Sequence, residues 1–124
     1  MAATQHDLDL PAEPASVRQA RRFVDRALAD VGAGSLAEVA GLLVSELVTN
    51  AVIHAGGVIR VRLSAADEVV RVGVQDTSTQ RPTPRLASSN EGTGRGLALV
   101  ADLAQRWGVD DTPDGKEVWF ELRP

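Results

Sequence analysis

With 124 residues, 44% of them hydrophobic and 24% charged, the chain has the bulk of one folded domain, 1–124, and is too apolar for a disordered segment. A net charge of −4 argues against nucleic acid as a partner, and the single lysine, Lys116, excludes a lysine-based phosphate loop. The lack of cysteine excludes disulfides, thiolate metal sites and cysteine nucleophiles; with no leader-like start and no window read as approaching the ~20 apolar residues of a membrane span, the expectation is a cytoplasmic protein without membrane contact.

His6, Leu8 and Leu10 alternate with Asp7 and Asp9, the pattern of a short edge strand that stops at Pro11. From about Pro14, Val17, Ala20, Val24, Ala27, Leu28 and Val31 recur at helical spacing, with Arg18, Arg21, Arg22, Asp25 and Arg26 on the other faces. Gly32-Ala33-Gly34 ends this helix. Ser35-Leu36-Ala37-Glu38 then has the form of a capping box opening a second helix that runs to about His54. Val39, Leu42, Leu43, Leu47, Ala51 and Val52 make that helix apolar around most of its girth, which predicts burial.

Val58 to Leu63 and Val69 to Val74 alternate as strands, and Ser64 to Glu68 between them predicts an antiparallel hairpin. Residues 77 to 93 carry almost no apolar periodicity and form a long loop of the kind that serves as a lid or binding element. Leu97, Val100, Ala101 and Ala104 mark a third helix, followed by a strand at Trp107 to Val109, a turn at Asp110 to Gly115 and a closing strand. In that strand Val118, Phe120 and Leu122 face one way and Glu117, Trp119 and Glu121 the other. The predicted fold is α+β: a two-layer α/β sandwich with three helices on one face of a mixed, mostly antiparallel sheet.

Glu46, Asn50 and His54 stand at i, i+4 and i+8 and form one polar stripe on the apolar second helix. A carboxylate there needs a partner, a change of protonation or a solvent-filled cleft, and an Asn carbonyl oxygen suits a hard cation such as Mg²⁺. A wet edge of an amphipathic helix would show the same stripe, and His54 at the helix end reads first as a cap. Asp76 closes an apolar strand, where it can start a turn or accept a hydrogen bond from an exocyclic amine such as adenine's. Gly92-Thr93-Gly94-Arg95-Gly96-Leu97 sets three alternate glycines directly before a helix, either as a hinge or as a place where backbone amides meet an anion. Arg95, with Arg81 and Arg85 in the loop, can add charge-assisted contacts to phosphate oxygens.

Together, Glu46-Leu47-Val48-Thr49-Asn50-Ala51-Val52-Ile53-His54-Ala55, Val74-Gln75-Asp76 and Gly92-Thr93-Gly94-Arg95-Gly96-Leu97-Ala98-Leu99-Val100 resemble the N, G1 and G2 boxes of the GHKL ATPase/kinase superfamily. More narrowly, the chain is similar to the small anti-sigma-factor serine/threonine kinases of bacterial partner-switching systems. The resemblance implies a Bergerat-type ATP-binding fold, with ATP and Mg²⁺ as cofactors. It implies that Glu46 is the general base toward a partner's serine, that Asn50 holds Mg²⁺ and that Asp76 binds the adenine amine. Gly92, Gly94 and Gly96, with Thr93, Arg95 and Leu97, would line the phosphates. The implied partners are a sigma factor and an anti-sigma-factor antagonist, with Arg18, Arg21, Arg22 and Arg26 as a docking or homodimer surface by analogy. Asp76-Thr77-Ser78-Thr79-Gln80 lacks the glycine usual in the G1 box, and an ATP-sensing module that sequesters a regulator without phosphotransfer is the alternative.

Overall fold

The computed structural model describes residues 4–77 and 92–124, the backbone alone over 92–97. The strands are β1 (Thr4–Pro11), β2 (Val58–Ala66), β3 (Val69–Asp76), β4 (Arg106–Thr112) and β5 (Gly115–Leu122). The helices are α1 (Ala15–Asp30), α2 (Ala37–His54) and α3 (Gly92–Leu103). The strands form one sheet in the order β1-β2-β3-β5-β4, and all four pairings are antiparallel, so the parallel component of the expected mixed sheet is not among them. The predicted loop with Arg81 and Arg85 lies outside the described residues.

Strand alternation decides which side each residue serves. Ile59, Val61 and Leu63 of β2, Val70, Val72 and Val74 of β3, and Val118, Phe120 and Leu122 of β5 turn toward the helices and are buried. Ala20, Val24, Ala27 and Leu28 of α1 and Leu43, Val44, Leu47 and Val48 of α2 meet them. Burying a side chain of this size is worth roughly 1.5–3 kcal/mol, so these two layers carry most of the cohesion. The open face is polar: Arg60 meets Asp9, Arg62 meets Asp7, and Arg71 reaches both Asp110 and Glu121.

α1 ends in a Schellman turn, in which Gly32 adopts φ 76, its amide donates to Ala29 O and the Ala33 amide to Leu28 O. The predicted capping box does not form. Ser35 lies inside a 3-10 turn over Gly34–Leu36, so Leu36 takes the N-cap position and no side chain caps α2. The β2–β3 connection is also tighter than predicted: Asp67 and Glu68 take φ 53 and 64, closing a two-residue turn that leaves Ser64 to Ala66 in the strand.

α2 packs on α1, α3 and β3, but its burial is one-sided. Leu42 and Ile53 are exposed, so the expectation of a helix buried around most of its girth holds on one face only. The segment Gly34–His54 is long and apolar enough to span a bilayer by length and hydropathy alone, which corrects the expectation that no window approaches that limit. Its small and aliphatic residues serve here as the central helix of the α layer, 39% of the window being buried inside the fold.

Candidate functional site

The end of α2, the end of β3 and the start of β5 converge. Asp76, the last residue of β3, shares the inward parity of Val70, Val72 and Val74, so its carboxylate points to the helix side of the sheet, and it is buried. Directly across the ladder stands Lys116, with the same parity on β5 as Val118 and Phe120, and it is buried too. Lys116 Nζ donates to Asp76 Oδ1 at 2.9 Å and to Oδ2 at 3.1 Å. The next residue, Thr77, donates its hydroxyl to Gly56 O at 3.2 Å, two residues beyond the end of α2. That bond fixes the mouth of β3 against the exit of α2.

Gly115 makes this convergence possible. A β-carbon there would run into Asp76 O and would stand 2.7 Å from Thr77 Cα, so β5 approaches β3 at a separation only glycine permits. The backbone behind the Asp76 carboxylate is therefore set by the start of β5.

On α2, Glu46 and Asn50 are both half-buried on a helix that packs on β3 and α3. Asn50 Oδ1 is a buried oxygen with no hydrogen-bond partner among the described residues. An acceptor left unmade in a protein interior costs about 1–3 kcal/mol, which makes this oxygen a candidate ligand contact. A hard carbonyl oxygen in want of a partner fits Mg²⁺, and Asn50 is the residue that would hold it. No cluster of three or more His, Asp or Glu able to hold a metal occurs among the described residues. Thr49 and Ser45, the other hydroxyls here, donate back to Ser45 O and Gly41 O within the helix. His54 is exposed in the last turn of α2, the position of a C-terminal cation.

The glycines depart from expectation. Gly92, Gly94 and Gly96 lie within the opening of α3 rather than before it, because helical backbone geometry extends to Gly92 despite a cost of about 1 kcal/mol per glycine relative to alanine. Their amides still belong to a helix N-terminus, which is positively polarised. The side chains of Thr93, Arg95 and Leu97 lie outside the described residues. α3 packs on α2, so this N-terminal segment belongs to the helix beside the Glu46/Asn50 stripe.

Two residues of this site escape a motif search, Gly115 and Lys116. The signal for Lys116 is in the sequence: it is the chain's one lysine, and it falls in the same alternation as Val118, Phe120 and Leu122. No curated protein matches the chain in a comparison of sequences. A family model for the histidine kinase-like ATPase domain matches residues 10–122, which take in the three helices, β2 to β5 and the last two residues of β1. The chain belongs to that family, the histidine kinase-like ATPase domains of GHKL type.

Proposed function

We propose that the chain is an ATP-dependent serine/threonine protein kinase that acts in the cytoplasm on an anti-sigma-factor antagonist and, in its other role, sequesters a sigma factor. The observation that carries the reading is the unpartnered Asn50 Oδ1, one helical turn from Glu46 on the helix that packs over the strand ending in Asp76. Membership of the ATPase family supports the nucleotide; the N-box resemblance supports the choice of acceptor and partners.

In this reading Asp76 takes the adenine amine and the α3 N-terminus receives phosphate oxygens. Mg²⁺ at Asn50 would neutralise charge on the transferring group. Glu46 accepts the proton of the partner's serine hydroxyl as the serine oxygen bonds to the γ-phosphorus and the bridging bond to ADP breaks. Phosphoryl transfer asks for little more than this positioning and a proton acceptor. The exposed arginines of α1, Arg18, Arg21, Arg22 and Arg26, are the proposed docking face for the partner or a second copy.

Calorimetric titration with ATP and Mg²⁺, paired with a radiolabel transfer assay on antagonist proteins, tests the reading. Asn50→Ala and Asp76→Ala are expected to weaken nucleotide binding at least tenfold, and Glu46→Ala to bind normally while losing transfer by a factor of about 10²–10⁴. Tight binding by wild type with no transfer to any antagonist would replace the kinase with the sequestering module, the reading favoured by the glycine-free run Asp76-Thr77-Ser78.

A further inference from the structure

Resting on the ATP reading above, we infer that Lys116 is a nucleobase-specificity residue: with Asp76 it forms a donor–acceptor pair that reads the Watson–Crick edge of adenine, Asp76 taking the 6-amino group and Lys116 donating to N1. The two side chains are fixed in register, because Asp76 and Lys116 are direct partners in the β3–β5 ladder. Both are shut from solvent, at 4% and 6% side-chain exposure.

A lysine ammonium has three hydrogens and no acceptor. Two are directed to Asp76 Oδ1 and Oδ2, and Nζ has no other hydrogen-bond partner among the described residues. The third therefore has no acceptor among the described residues, a situation proteins normally avoid for a buried ammonium. A carboxylate has about four lone-pair positions and Lys116 uses two of them; Asp76 has a further interaction besides this pair, and the 6-amino group would share the same carboxylate with it.

The chemistry of the pair selects among purines. Adenine offers a donor at position 6 and an acceptor at position 1, matching a carboxylate beside an ammonium. Hypoxanthine and guanine reverse both, setting O6 against the carboxylate and N1–H against the ammonium. A site built to hydrogen-bond a substrate group discriminates strongly against an analogue that lacks it, because its own buried polar groups are left unpaired.

The test is calorimetric titration of the full chain, with Mg²⁺, against ATP, 1-deaza-ATP (CH in place of N1) and inosine triphosphate. Wild type is expected to bind 1-deaza-ATP about 10- to 100-fold more weakly than ATP, the worth of one hydrogen bond to a charged group, and inosine triphosphate more weakly still. Lys116→Met is expected to bind ATP and 1-deaza-ATP with the same reduced affinity. Equal binding of ATP and 1-deaza-ATP by wild type would overturn the assignment without any variant, and so decides the matter even if Lys116→Met does not fold. Retained discrimination in Lys116→Met would overturn it too, as would tighter ATP binding, which would mean that the ion pair shuts the site. Failure of wild type to bind ATP at all would overturn the nucleotide reading beneath it, an outcome distinct from the others.

Discussion

Asp76 and Asp9 each hold a cation directly across an antiparallel ladder, Asp76 with Lys116 under the helices and Asp9 with Arg60 on the open face of the sheet. Their distances are similar, 2.9 Å and 2.7 Å for the closest contacts. Their environments are not: the Asp76 pair is almost wholly buried, whereas the Asp9 pair is half exposed, at 52% for Asp9 and 45% for Arg60. Water and salt screen the second pair, so it adds little to stability. The first gives up the hydration of two charges, which their pairing offsets. A buried ion pair is weak evidence for stability and better evidence for a site.

The largest effect should come from splitting the buried pair. Lys116→Met leaves the Asp76 carboxylate without its cation and is expected to cost about 3–5 kcal/mol in chemical denaturation. Combining it with Asp76→Leu removes both charges and is expected to recover most of that loss, while nucleotide binding falls below that of Lys116→Met. A single variant as stable as wild type would show that the carboxylate has another sufficient partner, and would make the two ladders more alike than their burial implies.

A smaller effect separates two glycines on the open face. Gly73 and Gly108 flank Trp119 in neighbouring strands. A β-carbon at Gly108 would stand 2.7 Å from Trp119 Cζ2 and 2.9 Å from Cε2, against a ring held under Arg71 at 3.9 Å from its centroid. One at Gly73 would meet the Glu117 carboxylate, the movable end of a long side chain. Gly108→Ala is therefore expected to cost about 1–3 kcal/mol, with a change in tryptophan fluorescence, and Gly73→Ala close to nothing. Equal costs would show that the open face is packed as rigidly at Glu117 as at the indole.

Much of this was legible in the sequence, and what was not has identifiable causes. The alternations through Val58–Leu63, Val70–Val74 and Val118–Leu122 specify strands with one covered face, and they appear in the sheet as read. The element order and Asp76 at a strand end follow from the same period. The two-residue turn was hidden because Asp67 and Glu68 are not glycines, yet both adopt the left-handed conformation that closes it. Ser35 looked like a cap because local pattern is blind to a 3-10 turn that moves the helix start to Ala37. Lys116 is hard to place from the sequence because a lysine invites a surface reading. Only the ladder register, which pairs it with Asp76, shows that its parity outweighs its polarity.

The smallest effect tests the exposed half of the comparison by titration. Arg60 Nε donates to Asp9 Oδ1 at 2.7 Å and Nη2 to Oδ2 at 3.2 Å. The Arg60 hydrogen bonds hold the Asp9 carboxyl below its ordinary 3.8, opposed by slight desolvation and aided by the guanidinium charge. A carboxyl whose pKa is lower folded than unfolded stabilises the fold above the unfolded value, and that contribution disappears as the pH falls through the folded one. Arg60→Gln is therefore expected to move the Asp9 titration, followed by carboxyl-carbon NMR, back up toward 3.8. It should also flatten a slight acid dependence of stability below about pH 4. At neutral pH the melting temperature should barely change, and added salt should erase even that difference. A large neutral-pH loss in Arg60→Gln would mean that the β1–β2 edge depends on its ion pair as strongly as the β3–β5 ladder depends on Lys116, and burial would no longer separate the two.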